Sequence, residues 1–212
     1  MTAVFAFVQN DVIFLASDTR RGSTYPLTVQ KIHSWSDEVI LGQAGNGAHQ
    51  SGLIADLRNR RGHAAHATEQ ALYALYRTHR PLHLSQVTPP AGTNGTILVA
   101  ETTTGSNGTL WAYDFHTGNR SSVNGPIAAI GTNPAVLTQL AQNHANRLQG
   151  QGSLAADEWA QMCVEDAIRQ FPADVGWPCD LLIARPSPLG GRIIVERRID
   201  ATSKTGLPEF QI

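Results

Sequence analysis

β-Structure begins at the third residue. Residues 3–8 and 12–16 are two apolar, strand-like runs separated only by Gln9-Asn10-Asp11, a pattern that predicts a hairpin with a polar turn. Thr2 stands directly in front of the first strand. Asp18 follows the second, then a loop over 20–26. Residues 29–35 and 38–43 predict a second hairpin around Ser36-Asp37, and 42–47 is a glycine-rich turn. Apolar residues then recur at helical spacing (Leu53, Ile54, Leu57), predicting a helix over 48–60 and another over 67–78. Pro81, Pro89 and Pro90 mark a loop.

The second half repeats this grammar. Residues 96–103 and 110–115 predict a hairpin whose Asn107-Gly108 turn suits two positive φ angles, and 127–130 is a short strand. Asn133-Pro134 opens a helix, with Asn as N-cap and Pro at the first helical position; its apolar face is Val136, Leu137, Leu140 and Leu148. Ser153 is placed to cap a further helix that buries Trp159, Met162, Cys163 and Ile168 and ends near Phe171-Pro172. Residues 181–184 and 192–198 are the last strands, and 200–212 is a polar tail. Strands, two helices, strands, two helices, strands: the order predicts an α+β, αββα four-layer sandwich, with two antiparallel sheets between helical layers. One domain over 1–212 is expected.

Composition narrows the function classes. The 212 residues are 42% hydrophobic and 16% charged, with a formal net charge of −1. That balance gives no reason to expect nucleic acid or an anionic membrane as a partner. The start lacks a basic region and a small-residue cleavage site, and no apolar run approaches a membrane span. With Cys163 and Cys179 as the only cysteines, both expected to be buried, a cytoplasmic location is expected. Asn94-Gly95-Thr96 and Asn107-Gly108-Thr109 read as turns rather than glycosylation sites. His63/His66 and His79/His83 have metal-like spacings, but no carboxylate or Cys cluster completes them, so they read as solvated helix-end histidines. No metal or cofactor is expected. Arg20-Arg21 and residues 58–61 read as surface or inter-subunit contacts.

Two residues carry chemistry. Removal of Met1 ahead of the small Thr2 would leave a threonine with a hydroxyl and a free α-amine. Such an amine has a reference pKa of about 7.7–8.0 and can act as base for its own hydroxyl. Among sixteen basic residues only Lys31 and Lys204 are lysine. Lys31 lies inside an apolar, β-branched run where a solvated charge is not needed, and a lysine can shift its pKa and handle protons. If the first and third strands pair in one sheet, Lys31 lies beside Thr2, with Asp18 orienting it. Gly45 would then offer its backbone N–H to an oxyanion.

Taken in order, Thr2, Ala16-Ser17-Asp18-Thr19-Arg20, Val29-Gln30-Lys31-Ile32 and Gln43-Ala44-Gly45-Asn46-Gly47 resemble the successive motifs of proteasome β-type subunits and their bacterial peptidase relatives. Ile130-Gly131-Thr132-Asn133 resembles the family's Gly-Ser-Gly segment, and the stretch from Asp174 to Leu182 its late acidic segment. The resemblance spans about residues 2–198. It is closest to the beta-proteobacterial proteasome homologue and next to the Anbu-type peptidases. One departure is that Trp177-Pro178 stands where the family usually has a serine-glycine pair.

This resemblance implies an N-terminal nucleophile hydrolase: a threonine endopeptidase in a homo-oligomeric ring, cleaving polypeptides, with an ATP-dependent unfoldase as candidate partner. It implies Thr2 as nucleophile, Asp18, Lys31 and Gly45 around it, Thr132 and Asp174 tuning the α-amine, and a substrate pocket from Arg21, Gly22, Val29, His33 and Gly47. Two alternatives stand beside it: a catalytically silent ring subunit of the same fold, and a non-proteolytic amidase using the same nucleophile.

Overall fold

Strand β1 (Ala3–Gln9) and strand β2 (Val12–Asp18) form the expected hairpin, closed by Asn10-Asp11 with Asn10 at φ 54°. The computed structural model describes residues 2–21, 27–45, 47–63, 67–87, 95–102, 107–150 and 155–201. Gly22, Ser153 and the tail beyond 201 lie outside the described residues. Every residue of β1 up to Val8 is buried, because the hairpin sits in the middle of the fold. Ala3, Phe5 and Phe7 point into one apolar layer, and Val4, Ala6 and Val8 into another. A strand covered on both faces needs apolar side chains at every position.

Then come β3 (Arg20–Arg21), β4 (Leu27–Thr28), β5 (Ile32–Ser34) and β6 (Val39–Gly45). Helix α1 (Gly47–Asn59) follows, then a 3-10 turn at Arg61–His63 and α2 (Glu69–Leu84). Strands β7 (Gly95–Glu101), β8 (Thr109–Asp114), β9 (Arg120–Ser122) and β10 (Ile127–Gly131) precede α3 (Pro134–Gly150) and α4 (Ala156–Gln170). Strands β11 (Cys179–Pro186) and β12 (Arg192–Ile199) complete the order. One five-stranded sheet runs β10-β1-β2-β11-β12, the other β5-β6-β7-β8-β9, and every pairing is antiparallel.

Three apolar layers hold the sandwich. Between the sheets lie Val4, Leu15, Ile32, Ile40, Leu98 and Leu182. Under α3 and α4 the rings of Phe7, Phe14 and Trp159 sit 5.8–6.3 Å apart, and Cys163 and Cys179 are buried free thiols in that layer. Under α1 and α2 lie Trp35, Leu53, Tyr76 and Tyr113. Each fully buried large apolar side chain contributes about 1.5–3 kcal/mol. The sheets approach closely at Gly42, where a Cβ would stand 2.6 Å from Val4 Cγ1.

Several local expectations are corrected. Helix α2 does not stop before Pro81 but runs through it to Leu84. Tyr76 and Arg80 donate to the carbonyls of Asp114, Phe115 and His116, and these contacts offset the bond a proline removes. Gly108 has no positive φ; its N–H donates instead to Asn10 O at 3.0 Å, so the turn is anchored on the β1–β2 corner. Asn133 does open α3, but at φ 49°, with Oδ1 accepting from Val136 N at 3.4 Å. Ala141 and Ala145, rather than Val136, carry the buried stripe of α3 between Leu137 and Leu148. The short strands β3, β4 and β9 have too few residues to show a period.

Candidate active site

Strand β2 ends on Asp18, the organising residue of the site. Its side chain is fully buried, and its Oδ1 accepts from Thr2 Oγ1 at 2.5 Å and from Ala3 N at 2.8 Å. Lys31 Nζ lies 2.9 Å from the same oxygen and donates to Arg20 O at 2.7 Å. Thr2, Asp18 and Lys31 therefore meet around one carboxylate oxygen. The route differs from the expected one. Lys31 precedes β5, which belongs to the other sheet, so it reaches Asp18 across the sandwich rather than along a shared sheet. Asp18 does more than orient the lysine, since it receives the Thr2 hydroxyl directly.

Strand β10 fixes the backbone of Thr2 from the other side. Gly131 pairs with Ala3 and has φ +121°; a Cβ there would lie 1.8 Å from Thr2 O. Only glycine combines that conformation with that approach. The next residue, Thr132, donates its N–H to Thr2 O at 2.9 Å, and its hydroxyl donates to Asp174 Oδ2 at 3.3 Å. Thr132 and Asp174 thus form a second pair beside the first. Thr19, whose N–H and hydroxyl both donate to Pro178 O, ties the segment after Asp174 to the same end.

Gly45 closes β6 opposite Gly95, exposed and at φ +113°. Gln43 N donates to Lys31 O at 2.9 Å, so β6 runs towards the Lys31 end, and helix α1 starts immediately beyond. No described contact joins Gly45 to Thr2. Of the expected pocket residues, Val29 is half-buried with its N–H on Thr19 O at 2.8 Å, and His33 is half-buried on β5. Arg21 ends β3 and Gly47 opens α1, placed here by their backbones alone. Arg20 is not a free surface arginine: its guanidinium donates to Pro172 O at 2.6 Å.

Burial pushes the Lys31 ammonium below the usual lysine range, although the Asp18 and Asp180 carboxylates pull it back up. Desolvation therefore outweighs ion pairing at Lys31, so the arrangement is not explained as a device for stability. Burial, with Arg58 adding to it and Asp180 opposing, lowers His33 to about 4. His33 is therefore neutral at pH 7 in the folded chain. Between about pH 6.5 and 4 the unfolded chain binds a proton that the folded chain does not, so stability falls as pH falls through that window. The contribution is about 2–3 kcal/mol. Replacing His33 by Gln should remove most of it, which urea unfolding at pH 7.5 and pH 4.5 would read. Equal losses in both proteins would dismiss this source.

Sequence reading gave no role of their own to Ser17, Asp180 and Arg198, which gather beside this site. It also missed that His79 and His83 both face Asp56 Oδ2, at 3.4 and 3.5 Å, between α1 and α2. Among the described residues no His, Cys, Asp and Glu group could hold a metal. Among them, too, no helix is long and apolar enough to cross a membrane.

The two antiparallel sheets stacked between helical layers make an α+β, αββα four-layer sandwich. No protein-family model and no curated protein matches the sequence. Solved structures share the fold. The eukaryotic HslV from Trypanosoma brucei is 17% identical with a TM-score of 0.60, over 85% of this chain and 98% of that one. Anbu from Yersinia bercovieri, an ancestral beta-subunit, is 17% identical with a TM-score of 0.69, over 95% and 88%. The Gly-1 mutant of Anbu from Hyphomicrobium sp. strain MC1 is 18% identical with a TM-score of 0.67, over 96% and 89%.

Proposed function

We propose that the protein is a threonine endopeptidase, a subunit of a proteasome-like homo-oligomeric ring that cleaves polypeptides in the cytoplasm after removal of Met1. The observation that carries this reading is the Thr2 hydroxyl donating to a buried carboxylate that also holds Lys31. A surface threonine needs no such setting.

In the proposed reaction Thr2 Oγ bonds to the peptide carbonyl carbon as its proton passes to the neutral α-amine, with Asp18 holding the hydroxyl aligned. The Lys31 charge favours the developing alkoxide, and Gly45 N–H receives the oxyanion. The carbonyl re-forms, the carbon–nitrogen bond breaks, and the departing amine takes the proton from the α-ammonium. Water then attacks the Thr2 ester with the amine again as base, the carbon–Oγ bond breaks as Oγ takes that proton back from the α-ammonium, and the acid leaves. Thr132 and Asp174 tune the amine, and Arg21, Gly22, Val29, His33 and Gly47 line the substrate pocket. An ATP-dependent unfoldase would feed the ring.

Intact mass of the purified protein, followed by incubation with a peptide electrophile, tests the reading. An N-terminus lacking Met1 and an adduct mapping to Thr2, with turnover of unstructured polypeptides, support it. A free Thr2 that neither forms an adduct nor supports peptide hydrolysis overturns it. An adduct with turnover of small amides alone favours an amidase.

A further inference from the structure

A polar group on the inner faces of β2, β11 and β12 lies behind Lys31. Asp180 stands opposite Ser17 in the β11–β2 register, beside the residue that precedes Asp18. It shares strand parity with Leu182 and Ala184, which line the layer between the sheets, so it faces the same layer. Ser17 lies on that face too, its hydroxyl buried and unpartnered among the described residues. Across β12, Arg198 grips Asp180 with both arms, Nε to Oδ1 at 2.8 Å and Nη2 to Oδ2 at 3.2 Å. A cleft of about 390 Å³ is lined by Gln30 and Ile32 together with Asp180, Glu196 and Arg198. Asp180 is thereby set against the residues on either side of Lys31, yet it is only 8% exposed.

We infer that Asp180, oriented by Arg198, is a positioning carboxylate for the Lys31 ammonium. Asp18 holds that ammonium from the side of Thr2, and Asp180 sets its charge from the side of the cleft. The need is physical. Lys31 has lost its water, and Asp18 shares one oxygen among three donors. A second carboxylate favours the charged lysine against the desolvation that lowers it, and the half-exposed Arg198 limits how strongly it does so. The Arg20 carbonyl from β3 also accepts from the Lys31 ammonium, and His33 of β5, two residues further on, is acted on by Asp180 and by Arg58 of α1. Glu196 and Arg197 of β12 also line the cleft, and the Arg197 guanidinium pairs with Asp157 of α4.

The catalytic consequence rests on the peptidase reading, but the electrostatic content does not, and the two can be measured apart. Because the chain has only Lys31 and Lys204, lysine labelled with carbon-13 at Cε gives two side-chain signals, and Lys204→Arg leaves that of Lys31. Asp180→Asn should lower the Lys31 titration midpoint by about 0.5–1 pH unit, and Arg198→Gln should raise it. Any alkaline fall in peptide hydrolysis should move with it. A midpoint unmoved in both variants overturns the inference, including when activity drops evenly at every pH, which marks Asp180 as structural only. A midpoint that moves in a protein with no peptide hydrolysis at any pH supports the positioning role and removes the peptidase reading instead. Arg198, half exposed, keeps the test decisive if Asp180→Asn fails to fold.

Discussion

On the proposed mechanism, Thr2→Ala should leave a folded protein whose peptide hydrolysis falls by a factor on the order of 10⁴–10⁶, the scale at which removing a nucleophile outweighs every surrounding effect. The structural cost is small. The substitution deletes one hydrogen bond, to Asp18, for about 1 kcal/mol, while the Ala3 N–H and Lys31 continue to satisfy the same carboxylate oxygen. The Thr132 N–H still reaches the carbonyl of residue 2, because that contact uses backbone only. Thr2→Ser should retain turnover, since hydroxyl and α-amine both remain. Initial rates on an unstructured polypeptide, with thermal unfolding of each variant, check this. Substantial activity in Thr2→Ala would place the chemistry elsewhere and end the proposed mechanism.

Asp18→Ala carries the largest expected change in stability. The substitution strands a buried ammonium whose nearest carboxylate has gone, and breaking such a pair costs about 3–5 kcal/mol. In a chain of this size each kcal/mol lowers Tm by about 2–4 °C, so a fall on the order of 10 °C is expected. Asp180 should hold the loss to the lower end, because its carboxylate also favours the charged lysine. The double variant Asp18→Ala, Lys31→Met should recover most of the stability, since no unpaired charge is left behind, but none of the activity. Calorimetry of wild type and the two variants reads this directly. An Asp18→Ala protein within 2 °C of wild type, a loss of about 1 kcal/mol at most, would mean that water reaches Lys31 freely and that the buried geometry around Asp18 does not persist in solution.

The central hairpin shows how far local pattern reaches. Residues 3–8 and 12–16 read as strands because they are apolar without interruption and bounded by a polar turn, and β1 and β2 follow within a residue or two. The order of strands and helices was legible in the same way, and with it the four layers. Short elements were not: β3, β4 and β9 are two or three residues long and are held by pairing rather than by pattern. Helix α2 outran its predicted end because its far side is bonded to the turn after β8, a partner that local propensity does not contain.

Residue chemistry along the chain was enough to single out Thr2, Asp18 and Lys31, because a lone lysine in an apolar run and a threonine ahead of a buried strand are visible without coordinates. How they meet was not. Lys31 crosses from one sheet to the other, a consequence of sheet stacking at the glycine-floored approach of Gly42 to Val4, whereas Asp18 receives the hydroxyl because β1 and β2 are neighbours within one sheet. Asp180 and Arg198 were invisible for the same reason. Strand alternation says that a residue faces inward, but only the stacking of one sheet on another says what waits there.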